Sequence, residues 1–327
     1  MKVLVTGGAG YIGSFMVKAL LDRGVNVVVL DNLERGHRQA VDSRAEFIEG
    51  DIKDSEKLKQ LFLKDHFEAI LHFAGYISVE ESTKNPSIYE ENNVLGSEKL
   101  FTIALREGKV NKFIFSSSAA VYGNPIKIPI PEDHPTSPTS PYGRTKLLTE
   151  QTLTRLRKNN PLISFASLRY FNAAGASLNG KLGEDHEPET HIIPLAIKAA
   201  TEGSQFSLFG VDYDTFDGTC IRDYIHVLDL VEAHLLGLDK ISKEPGGYIY
   251  NVGTGIGYSN RQVIDMVKKI TARKVHLVEK ERRSGDAKTL IADPSKIKKE
   301  LSFSPKYSDL QTIVKTAWQW HSKKFQI

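Results

Sequence analysis

A single cysteine, Cys220, stands among 327 residues, so no internal disulfide can form and a reducing compartment fits. The lone thiol reads as a small buried filler rather than a reactive group. No run of residues approaches the ~20 apolar positions that span a bilayer. The opening MKVLVTGG lacks the apolar stretch and small-residue cleavage site of a signal peptide. A cytoplasmic protein with no membrane partner is therefore expected. Charge of one sign is scarce as well: 43 basic against 40 acidic side chains leave a net +3. That excess is too small for a nucleic-acid or membrane surface. No repeat and no low-complexity tract interrupts the chain. The acidic run Glu184-Asp185-His186-Glu187, with Glu189 and His191, fits no compact ligand spacing. It reads as a solvated loop with no metal, in which His191 lines a substrate cleft.

Apolar residues at 40% and charged residues at 25% are ordinary for a soluble enzyme, and the length allows a large core in two lobes. The first half alternates strand-like and helix-length segments. Val3 to Thr6, Val25 to Leu30, Phe47 to Ile48, Ala69 to Phe73, Phe113 to Phe115 and Ser164 to Leu168 read as strands. Tyr11 to Arg23 carries Ile12, Phe15, Met16, Ala19 and Leu20 at helical spacing. Unbroken apolar strands between helices predict an α/β fold: a doubly wound parallel sheet of Rossmann type. Six prolines between Asn124 and Pro141 predict an irregular loop leading into a helix. After about Asn172 the rhythm is lost, so residues 1–171 are expected to form one domain. Residues 172–327 are expected to form mainly a smaller mixed α/β lobe, with some segments returning to the first domain. Ser259 is placed to cap a helix carrying Val263, Ile264, Met266, Val267 and Ile270. Leu310 to Trp320 reads as an amphipathic helix, with Trp318 and Trp320 as packing or dimer contacts.

The first strand runs directly into Gly7-Gly8-Ala9-Gly10-Tyr11-Ile12-Gly13 and then a helix. A dinucleotide pyrophosphate needs a tight turn, a backbone without Cβ where it approaches, and N–H groups at a helix N-terminus. The glycine spacing alone is weak evidence; its place between a strand and a helix strengthens it. Asp31 follows the second strand, 18 residues after Gly13. A carboxylate there binds ribose hydroxyls and repels a 2′-phosphate, which favours NAD over NADP, although Arg35 and Arg38 lie nearby. Asp51 and Ile52 after the third strand are candidates for the adenine side. Phe73, Ala74 and Gly75, after the fourth, would line the cofactor.

Ser118 closes the fifth strand, and Tyr142 and Lys146 open a helix four residues apart, on one face. A free phenol has a pKa of about 10 and is a poor base at neutral pH. A neighbouring ammonium favours the phenolate. The pair makes a base for a sugar hydroxyl, with Ser118 as a hydrogen-bonding partner.

These residues resemble the extended short-chain dehydrogenase/reductase family, and within it the UDP-glucose (UDP-galactose) 4-epimerases. The matching stretches are VTGGAGYIGS, LDN, GDI, HFAG, NNV, FSSSAAVYG and PYGRTK, then LRYFNAAGA, GED, FGVDYDTFDGTCIRDYIHV, YNVGTG and RRSGD. They cover most of the chain in the family's order. The resemblance implies Tyr142 as the base, Lys146 on the nicotinamide ribose, and Ser118 assisting. It implies that Gly7, Gly10, Tyr11, Ile12, Gly13, Asp31, Asn32, Asp51, Ile52, Phe73, Ala74, Gly75, Asn92, Tyr142, Lys146 and Tyr170 surround NAD. Asn172, His191, Arg222, Arg283, Asp286 and Leu290 would hold the nucleotide sugar with Ser118 and Tyr142, and Phe209 would lie by the uracil. A homodimer is implied as well.

Two departures stand out. Ile77 replaces the lysine that the family often has two residues after the HFAG glycine. Leu290 stands where some members carry tyrosine or a small residue, and its bulk is expected to disfavour an N-acetyl group at C2. The implied reaction is redox-neutral: a UDP-hexose is oxidised at C4 to a transient 4-keto sugar with NADH, then reduced on its opposite face. UDP-pentose, UDP-uronate and UDP-N-acetylhexosamine epimerisation remain open, since the chemistry is the same. Dehydratases of the family follow the serine with an Asp-Glu pair. Ala119 and Ala120 stand there, so dehydration ranks low. A non-catalytic NAD sensor would not need to retain both tyrosine and lysine.

Overall fold

The β-branched runs KVLVT and NVVVLD become strands, and a computed structural model describes residues 1–283 and 285–324. The chain opens with β1 (Lys2–Thr6), α1 (Tyr11–Asp22), β2 (Asn26–Asp31), β3 (Glu46–Glu49), α2 (Ser55–Lys64) and β4 (Ala69–His72). A long helical stretch follows: α3 (Val79–Lys84), α4 (Pro86–Tyr89), a seven-residue π-helical segment (Glu90–Gly96) and α5 (Ser97–Arg106). Next come β5 (Lys112–Ser118), α6 (Pro141–Asn159), β6 (Ser164–Tyr170), β7 (Asn172–Ala174), α7 (Ile192–Glu202), β8 (Gln205–Phe209) and β9 (Ile221–His226). The remainder is α8 (Val227–Lys243), β10 (Gly247–Val252), β11 (Gly257–Ser259), α9 (Asn260–Thr271), β12 (His276–Lys280), β13 (Thr289–Leu290), α10 (Ser295–Leu301) and α11 (Leu310–Lys324).

Seven strands form one sheet in the order β10-β6-β5-β4-β1-β2-β3. Val3 pairs in parallel with Val27 on one side and Ala69 on the other, and Ile70 pairs with Phe113. This is the doubly wound α/β fold of Rossmann type. The winding reverses between β1 and β4, and ligands of such sheets bind beyond the strand C-termini at that point.

The chain divides into two compact units. One contains Met1–Tyr122, Thr136–Arg169 and Val231–Tyr250. The other contains Gly123–Pro135, Tyr170–Leu230 and the chain from Asn251 on. The core of the first includes Leu4, Val28, Leu30, Ile70, Phe101, Phe113 and Phe115. That of the second includes Ile193, Ile197, Leu208, Tyr224, Val263, Ile264, Val267 and Val314. Smaller sheets serve the second unit: β11-β9-β13 with β7 on β9, and β12 on β8.

Helix starts follow local chemistry. Asp54, Ser78, Ser140 and Ser259 accept backbone N–H groups at the starts of α2, α3, α6 and α9. Ser259 completes a reciprocal box with Gln262, as its place before an apolar-periodic run predicts. By contrast, Gly10 before α1 and His191 before α7 offer no side-chain cap. The first-turn N–H groups of those two helices are left to other acceptors. Cys220 is buried, as its reading as a filler requires. Trp320 donates from Nε1 to the Glu184 carbonyl at 2.9 Å, and Trp318 packs on the second core. Among the described residues, no helix is long and apolar enough to cross a membrane.

Candidate active site

The glycine loop lies at the reversal of the sheet. Gly7 has φ +72°, and a Cβ there would fall 2.4 Å from the Ala74 nitrogen. Only glycine lets the end of β1 pass this close to the end of β4. A Cβ at Gly13 would meet the Gly7 oxygen at 2.1 Å, so this glycine closes the helix onto the turn. Gly10 differs: its Cβ would meet only the Gly7 oxygen, at an ordinary 3.4 Å. The protein's own packing therefore leaves room beside Gly10, at the start of α1, where the cap residue offers no side chain.

Asp31 accepts the Ala9 N–H at 2.9 Å with one oxygen and the Leu33 N–H at 2.9 Å with the other. Burial pushes its carboxyl pKa up, against the pull of these two bonds. Asn32 donates to Asp51 at 3.1 Å, linking the ends of β2 and β3. Ile52 is packed into the core, so any ligand contact there falls to its backbone. Phe73 lies against His234, ring centres 5.0 Å apart. Arg35 pairs with Glu81 at 2.7 Å, and Arg38 lies over the Phe47 ring at 4.4 Å. Both arginines near Asp31 are thus engaged with protein groups.

The π-helical segment brings in two asparagines. Asn92 donates to Asn93, whose Oδ1 also accepts the Tyr76 N–H at 2.8 Å, while its Nδ2 donates to the Tyr76 carbonyl at 3.0 Å. Asn93 Nδ2 also reaches Thr145 Oγ1 at 3.2 Å, tying the loop after β4 to α6. Ile77, in that loop, is 40% exposed.

Tyr142 and Lys146 share the buried face of α6. The Lys146 ammonium donates to the Ser116 carbonyl at 2.8 Å. It also lies 5.1 Å from the Phe115 ring centre and 5.8 Å from that of Tyr142. Burial pulls its pKa down to about 8, and Glu150 works in the opposite sense. His72 stacks on Phe115 and is pushed down to about 3 by burial and by the Lys146 charge. It is neutral, held between Thr6 Oγ1 and Ser97 Oγ at 2.7 Å each. Ser118 ends β5, and its hydroxyl oxygen accepts the Ala120 N–H at 3.1 Å.

In the second unit, Asn172, His191, Phe209, Arg222, Arg283 and Asp286 line one cavity of about 190 Å³. Arg283 lies over the Phe209 ring at 4.1 Å, and Arg222 is 3.6 Å from Asp286. Ser284 of the RRSGD stretch lies outside the described residues. Leu290 is absent from this wall; it sits on β13, paired with Arg222 of β9. Tyr170 closes β6, two residues before Asn172 opens β7.

The acidic run corrects one expectation, for it is not a solvated loop. Glu184 is buried, and its carboxylate lies 2.7 Å from His191 Nδ1 and 3.2 Å from His186 Nδ1. Glu189 lies 2.9 Å from the same His191 nitrogen. The spacing looked open because the chain turns on itself here, and ligand-type atoms of all four residues fall within 4.8 Å of one another. Burial opposes a charge on His191, yet Glu184 and Glu189 outweigh it and hold its pKa well above the usual histidine value. Glu184 and Glu189 thus hold the charged His191 between them.

Residues 3–253 match the model of the NAD dependent epimerase/dehydratase family. The chain belongs to that family. A UDP-glucose 4-epimerase of Lactobacillus helveticus is 45% identical over 322 residues, 98% of this chain and 97% of that protein. The crystal structure of UDP-glucose 4-epimerase from Brucella ovis in complex with NAD has a TM-score of 0.93 at 43% identity, covering 97% of each chain. That from Bifidobacterium longum, in complex with NAD+ and UDP, has a TM-score of 0.94 at 36% identity, covering 99% of this chain and 98% of that one.

The first unit fits the family's NAD. Space beside Gly10, an uncapped helix start and a carboxylate at the end of β2 suit a pyrophosphate and an adenosine ribose. Arg35 and Arg38 are each engaged with a protein group, which agrees with NAD. Sequence reasoning did not single out Asn93, His72, Asp223, Ser117, Glu150 or Arg169. Asp223 is fully buried, accepts from Thr254, Gly255 and Ala292, and so fixes the YNVGTG loop beside Arg222. The other five lie within the stretches that match the family, and Glu150 stands one helical turn after Lys146.

Proposed function

We propose that this chain interconverts UDP-galactose and UDP-glucose by redox-neutral epimerisation at C4. The observation that carries the reading is the buried Lys146 ammonium against Tyr142, at the end of the strand that presents Ser118. Tyr142 takes the proton of the sugar 4-hydroxyl as the phenolate and returns it after the sugar has turned. Lys146 favours that phenolate through its charge and holds the nicotinamide ribose. Ser118 donates a hydrogen bond to the same sugar oxygen. NAD held there would supply a reversible hydride acceptor at C4. Gly7, Gly10, Tyr11, Ile12, Gly13 and Asp31 hold its adenosine and pyrophosphate. Asn32, Asp51, Ile52, Phe73, Ala74, Gly75, Asn92 and Tyr170 complete its surroundings.

Arg222 and Arg283 suit a diphosphate, because a guanidinium is an always-charged fork. Phe209 offers an aromatic face for uracil, with Arg283 beside it. Asn172, His191 and Asp286, which line the same cavity, belong to the same proposal, and Leu290 stands behind them, paired with Arg222. Tight holding of UDP and loose holding of the hexose let the keto sugar present both faces. Dehydration would need acid and base groups beside Ser118, and Ala119 and Ala120 supply neither. A cytoplasmic homodimer completes the reading, supported by the single buried thiol and the family resemblance, and analytical ultracentrifugation tests the dimer.

The deciding experiment assays purified protein against UDP-galactose, UDP-N-acetylgalactosamine, a UDP-pentose and a UDP-uronate, and identifies the nucleotide released on denaturation. Fastest conversion of UDP-galactose with NAD released is expected. Turnover confined to another UDP-sugar would redirect the assignment.

A further inference from the structure

We infer that the buried Glu150–Arg169 pair is a positioning device for the helix that carries Tyr142 and Lys146, with Glu150 placed one turn from Lys146 as its counter-charge. The inference rests on the roles given above to Tyr142 and Lys146.

Glu150 follows Lys146 by four residues and Tyr142 by eight, so all three lie along one stripe of α6. Its side chain is 3% exposed and that of Arg169 is 5% exposed. Arg169 grips the carboxylate with two nitrogens, Nε at 2.9 Å from one oxygen and a terminal nitrogen at 2.6 Å from the other. Its remaining nitrogen donates to the Tyr122 hydroxyl at 3.0 Å, and the guanidinium lies 5.0 Å from that ring centre. Ser117 donates to Glu150 at 2.5 Å. Ser117 stands between Ser116, whose carbonyl receives Lys146, and Ser118. One buried cluster therefore ties β5, β6 and the turn after β5 to the face of α6 that carries Tyr142 and Lys146.

Burying two charges costs about as much as their attraction returns, and apolar replacements are often as stable. Stability alone does not account for such a pair; its place does. Lys146 is a buried ammonium with a carbonyl and aromatic faces around it. The titratable groups that face it are Tyr142 and Glu150 on α6 and neutral His72 on β4. Glu150 is the anion among them, and it opposes the burial that draws the ammonium's proton off. Arg169 and Ser117 hold the carboxylate fixed, since a two-nitrogen grip stops it from turning.

The test compares wild type, Glu150→Gln, Glu150→Asp and the double variant Glu150→Gln/Arg169→Gln, each fully loaded with NAD. Steady-state rates are measured across pH with UDP-galactose. Without Glu150, Lys146 loses its proton more readily, and the phenol beside it becomes less acidic. The alkaline limb of kcat should then move down by about one pH unit in Glu150→Gln, so that the loss grows above neutral pH, with KM little changed. Glu150→Asp should restore part of the shift. The double variant leaves no orphan charge, and carries the test if Glu150→Gln is unstable. A uniform fall in kcat with an unmoved limb, or a wild-type profile, would overturn the inference. An active Tyr142→Phe would instead refute the reading beneath it, so the two failures are told apart.

Discussion

The charge on His191 is set by two carboxylates rather than by its own ring. Glu184 is the more buried of them, and its pKa falls because its histidine partners outweigh the burial that would raise it. His191 has its pKa raised, so its share of stability is fully present below the unfolded histidine value of about 6.5. That share is lost as pH rises through the folded-state value. Glu184 behaves in the opposite sense: its share is present above the unfolded carboxylate value and is lost as pH falls through its depressed one. Thermal melts of wild type and Glu184→Gln should therefore differ most between about pH 4.5 and 6.5 and converge as pH rises through the folded His191 value. A gap that is constant across pH would argue against the ion pair. Single residues were unevenly legible. Tyr142 and Lys146 could be seen because a four-residue step fixes a helical face. The Glu184 cluster could not, because a turn of the chain, not a spacing, brings its members together.

Elements show why some glycines answer to the fold and others to a ligand. Gly10 stands before α1 at φ −80°, a conformation open to alanine, and its Cβ would meet only one atom, at 3.4 Å. Gly10→Ala should keep the wild-type melting temperature to within a few degrees when NAD is absent from both, yet retain far less NAD on purification. Gly13→Ala drives a Cβ to 2.1 Å from the Gly7 oxygen and should lose both stability and NAD. Calorimetry and nucleotide release on denaturation read the two effects separately. Equal NAD retention in Gly10→Ala would remove the pyrophosphate from that spot. At the start of α9, Ser259→Ala should cost about 1 kcal/mol, read from urea unfolding. These boundaries were legible because strand, glycine turn and cap each leave a local mark. β10 left a weaker one: its GYIYNV run is short and follows Pro245 and Gly246, and its place beside β6 depends on the completed sheet.

At the scale of the whole molecule, the alternation of the first half announced the parallel sheet, and the family match now covers residues 3–253. What lies beyond Asn172 was harder to read, since its strands are short and pair out of sequence order: β7, β11 and β13 all meet β9. The segment Val231–Tyr250 returns to the first unit, an arrangement that spacing alone does not reveal. The cycle proposed here needs every part of the chain to serve one proton and one oxygen. Its most direct test is the rate at which Tyr142→Phe, saturated with NAD, converts UDP-galactose to UDP-glucose. Loss of the phenolate should lower kcat by about a hundredfold to ten-thousandfold while UDP binds as in wild type. A rate within a few-fold of wild type would contradict the account.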